Sequence, residues 1–283
     1  MTGLALSNDD RQEAVERLSD FTMVEYSPLN SPVEAALSSA AVLGMSLEAA
    51  EVPISLREMA SELRSAFGAG RTVWAAIDRA GSSSWEFYWY RTKGMPDVEP
   101  RDVIEVMGIE PATGLLSVVP PRPDVFSIDV GPELLDDQFI LDALNVYVGN
   151  PAASVRSGYS YRFTSAGPTL SNAYYRFPRA MIHAVRAQLA QSLHVVDCRD
   201  LLWEDVSCDS LHVANKLQSD ALYYGGLDVD AARTVLERTG SHEPIRSFLS
   251  GQASQLSHLR FDVGIDVVNG TPGYSKVAIY GLL

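Results

Sequence analysis

Cysteine is nearly absent from this chain: Cys198 and Cys208 are the two in 283 residues. Two thiols cannot supply a disulfide framework, nor close a zinc site by themselves. A reducing cytoplasm is therefore the expected home. No run of eighteen apolar residues occurs, so no membrane-spanning helix is expected. The N-terminal stretch MTGLALSNDDRQEAVERL lacks a basic region followed by an apolar core, and no signal peptide is expected. Positive charge is scarce, the formal net charge being −14. So acidic a chain repels nucleic acid and anionic membrane over most of its surface. Small molecules, rather than nucleic acid or membrane, are the expected partners. Among the basic residues only Lys93, Lys216 and Lys276 are lysines, the rest being arginine. Each lysine is thus a candidate for a compact point charge that arginine fills poorly. Neither GxGxxG nor GxxxxGK[ST] is present, and no serine lies in a GxSxG elbow.

What is present is an ordinary globular composition, 46% hydrophobic and 20% charged, with two alternating periodicities. Helical patterns are expected at 8–20, 32–48, 55–67 (opened by Ser55 and Glu58, closed by Gly68), 99–107, 178–193, 228–239 and 243–258. Between them, period-two segments form hairpins: 71–78 with 85–91, 211–217 with 221–226, and 261–268 with 274–281, the last around Asn269-Gly270. Further strands are expected at 115–119, 124–130, 138–148, 157–164 and 171–177. Helices that alternate with hairpins, rather than with single strands, argue for antiparallel sheet and against a Rossmann or P-loop layout. One domain spanning 1–283 is expected.

Successive strand residues point to opposite faces, so each hairpin can be sorted. Trp85, Phe87 and Trp89 oppose Glu86, Tyr88 and Tyr90. Phe126, Ile128 and Val130 oppose Ser127 and Asp129. Leu211, Val213 and Leu217 oppose His212, Ala214 and Lys216. Phe261, Val263, Ile265 and Val267 oppose Asp262, Gly264 and Asp266, while Val277 and Ile279 oppose Tyr274, Lys276 and Tyr280. Two architectures fit: an open sheet with one wet face, or a closed barrel with a polar lumen and helices outside. Tyrosine on the polar face favours the barrel, as does a count of about ten strands, more than one small open sheet usually holds. The expected fold is α+β: an antiparallel β-barrel of about ten strands with a polar lumen, surrounded by helices.

The order of helices and hairpins resembles the soluble aromatic prenyltransferases of the αββα (ABBA) type, the PT-barrel enzymes. The local match is best at ALYYGGLDVDAARTVLERTG (221–240), with Lys216 on the preceding strand; RTVWAAIDRAGSSSWEFYWYR (71–91) is similar to an early hairpin of that fold. The resemblance implies transfer of a prenyl group from an allylic diphosphate to an aromatic acceptor in natural-product metabolism. Lys216, Lys276, Arg162 and Arg176 would hold the diphosphate, with hydroxyls from Tyr174, Tyr224, Tyr274 and Tyr280. Tyr88, Tyr90 and His212 would line the substrate site. Tyrosine rings would also shield an allylic cation. Glu86, first, and Asp78, second, would orient the acceptor or take its proton. No cofactor is required; Mg²⁺ is an option through Asp262 and Asp266 with phosphate oxygens. His212, His258 and Asp262 form a second conceivable metal set, though each of these side chains has an ordinary structural use. Two other functions fit the same pattern: an isomerase, cyclase or lyase in a similar barrel, and a non-catalytic accessory protein.

Overall fold

The computed structural model describes residues 35–283 except 53, 80–81, 92–96, 132–138, 151–152, 154 and 196. The helix expected at 8–20 and Lys93 lie outside the described residues. Ten strands close a barrel: β1 (Thr72–Arg79), β2 (Ser82–Tyr90), β3 (Val125–Val130), β4 (Ala143–Gly149), β5 (Arg156–Thr164), β6 (Gly167–Pro178), β7 (Ser210–Lys216), β8 (Asp220–Leu227), β9 (Phe261–Val267) and β10 (Lys276–Leu282). Every strand pairs antiparallel with its neighbours in sequence, and β10 pairs with β1 to close the circle. The expected closed barrel with helices around it is the architecture found, and closure leaves no unpaired edge.

The two ends of this barrel differ because of how the chain connects its strands. The turns from β1 to β2, β5 to β6, β7 to β8 and β9 to β10 all lie at one end, the hairpin end. The helical connections all leave the strands from the other, the helix end. Eight helices pack around the outside among the described residues: α1 (Ser39–Ala49), α2 (Ile54–Phe67), α3 (Pro100–Met107), α4 (Leu115–Val118), α5 (Ile182–Leu189), α6 (Val229–Thr239), α7 (Glu243–Gly251) and α8 (Ala253–Leu256). Local chemistry sets several of their ends. Asp228 accepts a hydrogen bond from the Ala231 N–H at 2.8 Å to start α6, and Gly240 in the left-handed region stops it. At α3, Glu99 and Asp102 cap each other's backbone, with Pro100 at the first turn.

Parity along the strands decides the core. The outward face carries Trp74, Trp85, Phe87, Trp89, Phe126, Phe261, Val263 and Ile265, all buried beneath helices. Both tryptophans over α1 have their N–H groups satisfied there, Trp85 Nε1 donating to Ser46 Oγ at 2.9 Å and Trp74 Nε1 to Ser39 Oγ at 3.3 Å. Burying each ring contributes up to about 4–6 kcal/mol at roughly 25 cal/mol per Å². The inward face carries a smaller set: Val73, Ala75, Tyr88, Tyr147, Tyr174, Tyr223, Ala278 and Tyr280.

Several expected elements changed. The second helix begins at Ser39 rather than 32, after a turn in which Ala35 takes a positive φ of 61°. Leu115–Val118 is a helical turn, not a strand: it packs outside β5, where the closed barrel offers no edge to join. The strand expected at 138–148 splits, Ile140–Leu141 pairing in parallel with Glu110–Pro111 before β4 begins. The helix expected at 178–193 is only Ile182–Leu189, and Leu193 beyond it is 80% exposed. No helix among the described residues is long and apolar enough to cross a membrane.

Candidate active site

Five of the lumen's tyrosines form a closed ring. Tyr88 on β2, Tyr147 on β4, Tyr174 on β6, Tyr223 on β8 and Tyr280 on β10 come one from each even-numbered strand. Neighbouring ring centroids are 5.9, 6.1, 6.4, 6.1 and 6.0 Å apart around the circuit, and every pair is tilted by 48–56°. Such a near-regular pentagon has its centre about 5 Å from all five rings, inside the ~6 Å reach of cation–π attraction. Small residues make space for it. A Cβ on Gly264 would lie 2.5 Å from the Tyr223 ring, so any side chain there collides with it. Burial keeps these phenols protonated, pushing Tyr88, Tyr147, Tyr223 and Tyr280 well above their ordinary values.

The hydroxyls lean toward the hairpin end, where the charged residues gather. Tyr88 O–H donates to Glu86 Oε2, and Tyr147 Oη lies 3.3 Å from Ser127 Oγ. Asn172 Nδ2 donates to Tyr174 Oη at 2.9 Å and to Ser160 Oγ at 2.8 Å. Lys276 Nζ is 2.9 Å from Glu86 Oε1, and Lys216 Nζ 2.5 Å from Asp266 Oδ2. Lys216 also sits 5.7 Å from the Tyr223 ring centroid. Burial raises the Glu86 pKa, but Lys276, Tyr88 and Arg79 more than offset it, and its carboxyl is held below the usual value. Burial likewise lowers that of Lys216, and Asp266 beside it more than restores the charge. Asp129 lies opposite Glu86 on β3, exposed, and its Oδ1 accepts from Asn145 Nδ2 at 3.2 Å. Arg162 faces the same end by register, half exposed, with Asp142 at 3.3 Å.

The helix end carries a different set. His212 is opposite Tyr223 on β8 and Arg176 on β6, and Arg176 is opposite Arg156 on β5. Burial pulls His212 down to about 3, so it is neutral, with Nε2 3.1 Å from Ser210 Oγ. Asp262 is 2% exposed; Oδ1 accepts from the Gly226 N–H at 2.8 Å, and Oδ2 is buried with no hydrogen-bond partner. Burial lifts its carboxyl to about 7. Tyr90 is on the same face, its phenol pushed up by burial and by Asp262.

Three expected site residues fall outside the lumen. Asp78 has the opposite parity from Ile77 and points outward, accepting from the His242 N–H at 3.2 Å. Tyr224 is also outward. Its O–H donates to Leu201 O at 2.5 Å, and its ring stacks on Trp203; the stretch 197–209 packs down through Leu201, Leu202 and Val206, while Asp200, Glu204, Asp205 and Asp209 are exposed. Tyr223, not Tyr224, enters the ring. Tyr274 precedes β10, donates to Asp200 O at 3.2 Å and packs edge-on against Trp203. Of the expected diphosphate residues, Lys216, Lys276 and Arg162 share the lumen above the ring and Tyr174 and Tyr280 are members of it, whereas Arg176 lies below it. Asp262 and Asp266 are four residues apart on β9, about 13 Å, one at each end of the lumen; they cannot share one ion. His258 lies in the connection that leads to β9, not beside His212. Among the described residues no three His, Cys, Asp or Glu side chains are placed to hold a metal. Two members of the tyrosine ring, Tyr147 and Tyr223, escaped sequence reasoning. For Tyr223 the signal was there: a tyrosine recurs on the second strand of each hairpin, at 88, 174, 223 and 280.

No family model matches this sequence, and no curated protein matches it. Among solved structures the chain is similar to one named 6-dimethylallyl tryptophan synthase, with 12% identity and a TM-score of 0.32, over 84% of this chain and 76% of that one.

Proposed function

We propose that this barrel transfers a prenyl group from an allylic diphosphate to an electron-rich aromatic small molecule. The observation that carries the proposal is the tyrosine pentagon, whose centre is within cation–π range of five neutral phenols, beside two partly buried lysines. The C–O bond of the diphosphate breaks with its electron pair leaving on the diphosphate oxygen. Each lysine ammonium has three N–H donors and gives one to its carboxylate partner, leaving donors for that oxygen. The allylic cation sits in the pentagon, shielded from water. Electrons of the acceptor ring attack it and form the new C–C bond. The ring proton then passes to Asp262, and the C–H electron pair restores aromaticity. Asp262 suits this role because its carboxyl near 7 is matched to neutral pH and its Oδ2 has no other partner. Glu86, held ionised by Lys276, orients that lysine and Tyr88. No step calls for a cofactor. The pairing of each lysine with a carboxylate favours a second reading, an isomerase or cyclase that uses Asp262 and Glu86 without a diphosphate.

The test is incubation with dimethylallyl, geranyl and farnesyl diphosphates and a panel of indoles, phenols and aromatic acids, read by mass spectrometry and diphosphate release. A prenylated product, lost by more than tenfold in Lys216→Ala and Lys276→Ala, is expected. No product and no diphosphate release across the panel would overturn the transferase assignment and leave the second reading.

A further inference from the structure

At the hairpin end, charge alternates around the lumen wall. Lys216 on β7 reaches across β8 to Asp266 on β9 at 2.5 Å. Lys276 on β10 is directly opposite Asp266 and reaches across β1 to Glu86 on β2 at 2.9 Å. These four side chains are 7–14% exposed, so their charges are poorly screened by water. Arg79 on β1 lies 3.9 Å from Glu86, and Arg162 on β5 lies 3.3 Å from Asp142. Each of these cations is therefore already matched by a carboxylate. Asp129 adds a further negative charge, directly opposite Glu86 on β3. The phenols of Tyr147, Tyr223 and Tyr280 face Glu86 from β4, β8 and β10 and stay neutral.

A diphosphate brings several negative charges into this balanced wall. A diphosphate oxygen and Glu86 Oε1 that share the Lys276 ammonium lie about 5 Å apart, set by the tetrahedral angle between its N–H donors. At an effective dielectric near 20, each unit charge at about 5 Å raises the pKa of a carboxyl by about two. Glu86 starts below the usual carboxylate value in the free protein, and several such charges carry it past neutrality. Asp266 is the better satisfied anion, between two lysines and accepting from Ser219 Oγ at 3.1 Å. Glu86 has one lysine and faces a second carboxylate, and like charges directly opposed on one sheet face repel. A neutral Glu86 still accepts from the Tyr88 hydroxyl, so its protonation strands no polar group. We propose that the diphosphate enters the hairpin end together with one proton, which Glu86 takes up, and that Lys276 passes from the carboxylate to the diphosphate. The proposal rests on the transferase reading of this barrel for the identity of the ligand.

The experiment is calorimetric titration of the full chain, at about pH 8 and without divalent cations, using dimethylallyl S-thiolodiphosphate in HEPES, Tricine and Tris. These buffers absorb different heats on giving up a proton, so the variation of binding heat with buffer counts the protons taken up. About one proton per bound ligand is expected in the wild-type protein and none in Glu86→Gln. Wild-type affinity should rise close to tenfold as the pH is lowered from about 8 to 7. Glu86→Gln should bind at least tenfold more tightly at the higher pH and lose that dependence. Binding heat that is the same in all three buffers for the wild-type protein would overturn the proposal, and that comparison needs no variant to fold. Proton uptake that persists in Glu86→Gln would overturn it too. So would binding that appears only once Mg²⁺ is added, which assigns the compensating charge to the metal. No binding of the analogue with or without Mg²⁺ sinks the transferase reading and the proposal together, whereas binding without proton uptake sinks the proposal alone.

Discussion

The two ends of one lumen solve the problem of buried charge in opposite ways. At the hairpin end each cation has an anion: Lys276 with Glu86, Lys216 with Asp266. At the helix end a histidine is kept neutral, and Asp262 has an oxygen with no partner. Paired charge holds a structure in one arrangement, whereas a buried carboxylate oxygen with no partner marks a place where a proton moves. The tyrosine pentagon lies between the two ends, all five rings buried.

The largest expected effect is at the hairpin end. Lys276→Met strands Glu86 as a buried carboxylate without its cation and should cost about 3–5 kcal/mol in denaturant unfolding. The double variant with Glu86→Gln should recover most of that loss; equal stability of single variant and wild type would mean that the pair contributes nothing.

Next comes the pH dependence of the helix end. The Asp262 carboxyl is raised from 3.8 to about 7 on folding. The folded state then binds the proton more tightly, so this group makes stability fall as pH rises from about 4 to 7. His212 is lowered from 6.5 to about 3, so it makes stability fall as pH drops below 6.5. The two slopes oppose each other between about pH 4 and 6.5. In Asp262→Asn only the histidine slope survives: stability should climb toward pH 6.5, and at pH 8 exceed wild type by about 2–4 kcal/mol. Parallel pH profiles for the two proteins would show that Asp262 is not a shifted carboxyl.

Smaller effects sharpen the boundary between the ends. Gly264→Ala forces a Cβ into the Tyr223 ring and should cost about 1–3 kcal/mol by overpacking, with a change in tyrosine fluorescence as the pentagon shifts. The smallest effect belongs outside the lumen. Asp78→Asn alters only the hydrogen bond to His242 and should cost about 1 kcal/mol or less. Product formation should be unchanged, and loss of activity with the fold intact would return Asp78 to the site.

Much of this was legible before the fold was seen. Strand parity alone put Glu86, Tyr88, Tyr90, His212, Lys216, Asp262, Asp266, Lys276 and Tyr280 on one face, because the side-chain period of a strand is two. It failed at strand ends and in doubled tyrosines. Tyr274 falls two residues before β10, which starts at Lys276, and between adjacent Tyr223 and Tyr224 only the pairing with β7 shows which is inward. Asp78 failed for the same reason, as its parity is set by Ile77 and Arg79 beside it.

Alternation, turn chemistry and helix caps are local properties, and they determined the hairpins, most of the helices and the two-faced character of every strand. Closure of the barrel belongs to the tertiary structure, because β1 and β10 meet across some two hundred residues. So does the pentagon: five tyrosines spread from 88 to 280 become neighbours only when ten strands bend into a circle. The division of charge between the ends followed from closure too. Strand direction reverses at every turn, so whether a lumen residue lies above or below the ring depends on register between strands, which no local pattern records.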